Sequence, residues 1–292
     1  MKQKTLTCEL QGGLGNQLFQ LAAANYVSKK NDLRVKVNIS KLQTGPAKRT
    51  FSIPEVILKI LCPEVTITKS FIPLFLNRIY WRVTSSIPTH FFSHEFRQIG
   101  LGYDCALDSN FNFHRLNGYF QTYKYVDSLN WRSFLEENVV PILEIEILLN
   151  RMKTANPVVL HIRGGDYLTD KSGIGNLSEN YFRQCLSEIA GKDDEIWIFT
   201  DDRNHATKLL SNLSYNFIFI DQENLLSPFS ALFLMSKAKR IIISNSTFSW
   251  WAAYFSSNSQ IYGPTKWFQK LSDPAYLIPG SWNRVPSEWL SL

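Results

Sequence analysis

Four short polar runs carry the residue types that do chemistry, and each follows an apolar stretch. The first is Gly12-Gly13-Leu14-Gly15-Asn16-Gln17, where glycines let backbone approach a phosphate or sugar and Asn16 offers a donor. It departs from the GxGxxG spacing and lacks the Lys-Ser/Thr of a P-loop, which weakens dinucleotide and ATP readings. The plainer reading is a tight turn with close helix–strand contact.

The second run is His161-Ile162-Arg163-Gly164-Gly165-Asp166, directly after Val158-Val159-Leu160. Burying a histidine, an arginine and an aspartate at a strand end costs free energy unless they are paired or put to use. A guanidinium fork matches phosphate oxygens, and two glycines admit a ligand. The competing reading is a structural Arg163–Asp166 pair. The two differ in expectation: a phosphate ligand can be removed with an unchanged melting temperature, whereas loss of a structural pair lowers it.

Thr200-Asp201-Asp202 is the third run. One aspartate suits a helix cap, and the other can accept from a base or ribose. Ser244-Asn245-Ser246-Thr247-Phe248-Ser249 is the fourth, entering a helix whose free N–H groups make an anion site, with N-capping compatible with that role.

The elements that must position these runs can be read from periodicity. Thr5–Gln11 is expected as a strand, Asn16–Lys30 as a helix with Leu18, Leu21, Ala22 and Val27 on its apolar side, and Leu33–Ile39 as the next strand. Residues 41–115 show no period. Beyond them the pattern predicts strands at 157–162, 195–200, 217–220, 241–244 and 260–262. Helices are expected at 178–190, 203–212, from Ser227-Pro228 to the basic Lys237, Lys239 and Arg240, and at 247–256. Strand and helix in alternation imply an α/β fold with parallel sheets covered on both faces, here in two Rossmann-like halves, residues 1–150 and 151–292. In such sheets ligands bind beyond the carboxyl ends of the strands, where all four runs fall.

Composition narrows the classes. With 292 residues, 45% hydrophobic, and 20 Phe, 12 Tyr and 8 Trp, the chain has ample core and is not disordered. A net charge of +6 suits an anionic ligand or acidic surface, but no dense basic stripe marks a nucleic-acid partner. Cys8, Cys62, Cys105 and Cys185 form no CxxC pair and read as reduced thiols of a cytoplasmic protein. The start lacks a signal-peptide pattern. No stretch reaches the ~18 apolar residues of a membrane span; Phe71–Leu76 is too short to cross and at most rests on a membrane surface. HExxH, Gly-x-Ser-x-Gly and Asp-x-Asp are absent, and the five histidines have no metal-ligand spacing. The residues read as a metal-independent enzyme for a phosphorylated, nucleotide-linked ligand.

GGLGNQLFQ, Gly118-Tyr119-Phe120-Gln121-Thr122, HIRGGDY, FTDD and MSKAKRIIISNSTFSWWAAYF together resemble glycosyltransferase family 11, the bacterial α-1,2-fucosyltransferases, in order between residues 10 and 267. The resemblance implies a GT-B architecture, two Rossmann-like domains with parallel sheets facing across a cleft, the first binding acceptor and the second GDP-sugar. It implies inverting transfer from GDP-β-L-fucose to the 2-hydroxyl of a β-galactoside, lipid-linked acceptors included, without metal or other cofactor, at the inner face of the membrane. By position, Arg163 would hold the β-phosphate, Ser246, Thr247 and Phe248 would line the phosphate site, Asp201 would face guanine and His161 the ribose. Gly13 and Gly15 would approach the donor, and Asn16 the reacting sugar. The acceptor proton would go to Asp166 or to an acid within 41–115. Two positions depart from the family: Gly164 stands where a second arginine is usual, and Tyr123 where bacterial members commonly have glutamate. Two readings of other classes remain, a GDP-sugar-binding protein without turnover and a Rossmann oxidoreductase, which the broken GxGxxG disfavours.

Overall fold

An alternation of apolar strands and helices buries both faces of a sheet only when the strands run parallel, and every strand pair in this chain is parallel among the described residues. The computed structural model describes residues 4–43, 49–55, 57–58, 66–68, 94–109, 112–127, 143–220, 226–257 and 259–291. The chain forms two units, Met1–Asn130 with Pro274–Leu277, and Trp131–Asp273 with Ile278–Leu292.

In unit 1, β1 (Thr5–Glu9), α1 (Leu14–Asn31) and β2 (Arg34–Asn38) follow the expected strand–turn–helix–strand order. The sheet adds β3 (Thr66–Thr68), β4 (Glu95–Arg97) and β5 (Arg115–Asn117) in the order β3-β2-β1-β5-β4. These last three strands have three residues each, too few to show a period, which is why residues 41–115 were unreadable. A one-turn helix, α2 (Tyr123–Val126), is capped by Thr122, whose Oγ1 accepts from the Lys124 N–H at 3.4 Å. Phe71–Leu76, Cys62 and His90 lie outside the described residues.

Unit 2 contains α3 (Leu143–Ala155), β6 (Val158–Ile162), α4 (Glu179–Ile189), β7 (Glu195–Thr200), α5 (Arg203–Leu210), β8 (Asn216–Phe219), α6 (Pro228–Ser236), β9 (Arg240–Ile242), α7 (Thr247–Phe255), β10 (Gln260–Pro264) and β11 (Asn283–Val285). Its sheet runs β11-β10-β9-β6-β7-β8. On β6, Val158, Leu160 and Ile162 pack with Tyr181, Phe182 and Leu186 of α4 and with Ile196 and Ile198 of β7. The strand's period of two therefore turns His161 to the opposite face, where α7 lies.

Two expectations are corrected. The basic end of α6 stops at Lys237; Arg240 opens β9 instead, bound to Asp194 and to the carbonyls of Ile189 and Asn156. A boundary after residue 150 cuts through α3, which belongs wholly to unit 2, and Pro274–Leu277 returns to unit 1. There Tyr103 N–H bonds Ala275 O at 3.1 Å and Thr122 Oγ1 bonds Tyr276 O at 2.8 Å. Contacts between positions more than 150 residues apart leave no local trace. Cys105 and Cys185 are free thiols.

Candidate active site

In unit 2 the pairing of β6 with β7 places His161 opposite Phe199 and Ile162 opposite Thr200, and β9 pairs on the other side of β6. The loops leaving these three adjacent strands bring the second, third and fourth polar runs together.

His161 is buried, and its Nδ1 lies 2.7 Å from Ser244 Oγ, with the ring 5.5 Å from that of Phe248. Burial, and then the charge of Arg163, pull its pKa down to about 3. The imidazole is therefore neutral when folded. Above pH ~6.5 it is neutral in the unfolded chain as well, so stability is complete there; below, the unfolded chain takes up a proton that the native site refuses. Stability should fall by ~1.4 kcal/mol per pH unit from this group as pH drops from ~6.5 toward 3. Urea midpoints for the native protein and His161→Asn, followed from pH 7 to 4, should diverge in that direction; parallel curves would refute the assignment.

Arg163 is gripped on both arms. Nη1 lies 2.6 Å from Asp201 Oδ2, Nη2 contacts Asp166 Oδ1, and the guanidinium sits 4.7 Å from the centre of the Tyr167 ring. Its Nε is buried and has no hydrogen-bond partner. The Arg163–Asp166 pair, one of the two sequence readings, is thus formed, and the second carboxylate is Asp201. Asp201 Oδ1 also accepts from the Gly164 N–H at 2.8 Å, so this aspartate anchors the loop. Asp202 is the helix cap: its Oδ1 accepts from the His205 N–H at 3.0 Å.

Two glycines are sterically required here. At Gly164 a Cβ would come within 2.8 Å of Asp202 Cβ and 3.1 Å of His205 Cδ2. Gly165 has φ +51°, and a Cβ there would meet Asp201 Oδ2 at 2.7 Å. The loop can thus close on Asp201 only without side chains at 164 and 165.

Ser246 caps α7 by accepting from Phe248 N–H at 3.4 Å, and Ser249 Oγ bonds Ser246 O and Ser244 O. With the Ser246 hydroxyl used as a cap, the Thr247 hydroxyl and the first-turn N–H groups, which have no carbonyl four residues back, are what α7 can offer an anion.

Gly13, Gly15 and Asn16 lie in unit 1. Gly13 is the N-cap of α1, and a Cβ there would meet nothing within 4 Å; Gly15 is buried in the first turn. The glycine the turn requires is Gly12, at φ +78°, where a Cβ would lie 2.5 Å from Asn16 Nδ2. Asn16 Oδ1 accepts from Gln121 Nε2 at 2.9 Å. Much of the motif is structural: Gln17 Nε2 bonds Gly12 O and Thr50 O, and the Gln20 amide bonds both backbone groups of Gln11.

Unit 1 also holds a buried network that no motif announced. Asn38 Nδ2 donates to Glu9 at 3.1 Å, Lys41 Nζ to Asn117 Oδ1 at 2.7 Å, and Asn117 Nδ2 to Glu95 Oε1 at 2.7 Å. Burial pushes the Glu9 carboxyl up and the Lys41 amine down to about 8. Isolated charged residues near strand ends were the only available signal. Among the described residues no group of three or more His, Cys, Asp or Glu is placed to hold a metal ion.

The family description that matches is glycosyl transferase family 11, over residues 1–272. The O-antigen biosynthesis glycosyltransferase WbnK of Escherichia coli is 28% identical, over 89% of this chain and 93% of that protein. An α-1,2-colitosyltransferase of Escherichia coli is 25% identical, over 96% and 98%. Among solved structures, fucosyltransferase NodZ from Bradyrhizobium superposes with TM-score 0.51 at 11% identity, covering 88% of this chain and 94% of NodZ. Heptosyltransferase II of E. coli gives 0.51 at 11%, covering 96% and 89%. The likeness to these two structures establishes an α/β fold of GT-B type.

Proposed function

Because this chain belongs to glycosyl transferase family 11, we propose that it transfers L-fucose from GDP-β-L-fucose to the 2-hydroxyl of a β-galactoside, with inversion, during assembly of a surface glycan of O-antigen type. The observation that carries the reading is that the loops after the adjacent strands β6, β7 and β9 bring Arg163, Asp201 and the first turn of α7 to the same end of the sheet. Arg163 is a cationic donor there, and its planar fork suits phosphate oxygens. In the reaction the bond between the sugar's anomeric carbon and the β-phosphate oxygen breaks, GDP leaves with the electron pair, and the acceptor oxygen forms the new bond as it loses its proton. Arg163, Thr247 and the N–H groups of α7 stabilise the charge growing on the β-phosphate. His161, neutral and held by Ser244, lies against the ribose; Asp201 meets guanine; Asp166 takes the proton. Unit 2 is the donor-binding unit and unit 1 the acceptor-binding one.

The relatives support the polysaccharide setting and the α-1,2 linkage: one is named for O-antigen biosynthesis and the other for α-1,2-colitosyl transfer. The latter favours a second reading, in which the sugar transferred is colitose. Among the described residues no helix is long and apolar enough to cross a membrane, and the proposal admits a lipid-linked acceptor met at the inner membrane surface.

A mass-shift assay with GDP-fucose, or a colitosyl donor, against a panel of β-galactosides tests the reading. A gain of one fucosyl residue is expected, and it should persist in excess EDTA, because among the described residues no group of three or more His, Cys, Asp or Glu is placed to hold a metal ion. GDP binding without any transfer would leave a binding protein, and loss of transfer in EDTA with recovery in Mn²⁺ would overturn the metal-independent mechanism.

A further inference from the structure

Metal-binding histidines are usually found by their spacing, and His94 and His114 match no such spacing. The fold of unit 1 nevertheless sets the two side by side. β4 opens at Glu95 and β5 at Arg115, and the parallel register pairs those two residues. His94 and His114, each one position earlier, therefore meet at the same end of the sheet. The backbone there is fixed. His94 O accepts from the His114 N–H at 2.8 Å and from the Arg115 N–H at 3.1 Å, and His114 O accepts from the Thr7 N–H at 2.8 Å. The two imidazole rings lie 5.4 Å apart, centre to centre, with a tilt of 34°. Both residues are exposed, so an ion reaches them from solvent.

The separation is close to the one a shared ion requires. A histidine nitrogen binds Zn²⁺ at ~2.0–2.1 Å, and the centre of an imidazole lies ~1.1 Å behind that nitrogen. Each ring centre then stands ~3.2 Å from the ion, and a tetrahedral angle between the two ligands puts the centres ~5.2 Å apart. A shift of a few tenths of an ångström, within reach of side-chain torsions, closes the difference. Imidazole suits the divalent transition metals Zn²⁺, Ni²⁺ and Cu²⁺, whereas Mg²⁺ and Ca²⁺ take oxygen ligands. Among the described residues no third His, Cys, Asp or Glu completes the set, so water fills the other coordination positions.

We infer that His94 and His114 form a two-histidine site for a divalent transition-metal ion. The ion's work there is structural. β4 is an edge strand of its sheet, and β4 and β5 have three residues each, so an ion held by both imidazoles ties the edge strand to its neighbour. The unfolded chain does not hold the two rings together, and the ion therefore raises stability by mass action. The pair precedes both strands, at the opposite end from the carboxyl ends where ligands bind in such sheets. The site thus stands apart from the transfer reading and adds no metal to it.

Calorimetry with ZnCl₂ on protein freed of any affinity tag, beside thermal melts of the same samples, tests it. One Zn²⁺ should bind per chain, Cu²⁺ should bind more tightly, and MgCl₂ should give no binding heat. His94→Gln and His114→Gln should each weaken Zn²⁺ binding by at least about tenfold. Saturating Zn²⁺ should raise the melting temperature of the native protein by a few degrees and leave that of either variant unmoved. Both side chains are exposed, so the variants should fold, and if one does not the other decides the matter. No binding of Zn²⁺, binding of equal strength in native protein and both variants, or sensitivity to only one of the two substitutions overturns the site. Binding that leaves the native melting temperature where it was overturns the tie between the strands.

Discussion

Arg163→Ala is expected to lower kcat by about 10²–10³, the usual cost of removing one group that stabilises transition-state charge, with a smaller effect on GDP affinity. The sequence reading joined that loss to an unchanged melting temperature. The structure changes this half of the expectation. Arg163 is the shared partner of Asp166 and Asp201, so alanine leaves two carboxylates beside each other at the mouth of the loop. Both carboxylates are substantially wet, their side chains 43% and 32% exposed, so loss of their shared partner costs about 1 kcal/mol, and the melting temperature should drop by a few degrees. Arg163→Lys distinguishes the two roles. An ammonium keeps the charge but lacks the planar fork, so the melting temperature should recover further than kcat. Recovery of both in step makes Arg163 structural only, and a folded Arg163→Ala enzyme with near-normal kcat removes it from the mechanism.

The second large effect concerns Gly164, where the family resemblance suggests that a second arginine is usual. Restoring it is expected to damage this protein. A Cβ at 164 would press on Asp202 Cβ at 2.8 Å and on His205 Cδ2 at 3.1 Å, and Asp202 cannot retreat without uncapping α5. Overpacking of this kind costs ~1–3 kcal/mol. Any relief by moving the loop pulls the Gly164 N–H from Asp201 and displaces Arg163. Gly164→Ala should therefore lower both the melting temperature and kcat, and Gly164→Arg should lower kcat by more than about tenfold, since a small misplacement of a positioning group is costly. A Gly164→Arg protein that is as stable and as active as the native one would show that the contact at 164 is not limiting.

What the amino-acid sequence determined by itself was local. Periods of two and 3.6 residues are visible wherever an element is long and half-buried, so the strands and helices from β6 to β10 could be drawn within a few residues of their observed bounds. The polar residues closing those strands marked unit 2's candidate site before any geometry was known. β9 has only three described residues but sits in the apolar run Ile241-Ile242-Ile243 and could be read, whereas the three-residue β3, β4, β5 and β11 complete no period and could not. Which partner a side chain meets was decided only by tertiary structure. Arg240 read as the basic end of a helix and is instead the first residue of a strand, its Nη1 bonded to Asp194 and to the Ile189 carbonyl, 46 and 51 positions away. Gln17 and Gln20 sit in a motif that reads as ligand-binding, yet their amides go to backbone groups of Gln11, Gly12 and Thr50. Asp201 became the anchor of the Arg163 loop because the sheet order sets β7 beside β6. Neighbouring strands are chosen by burial summed over the whole unit, and that sum is not written in any one segment of the chain.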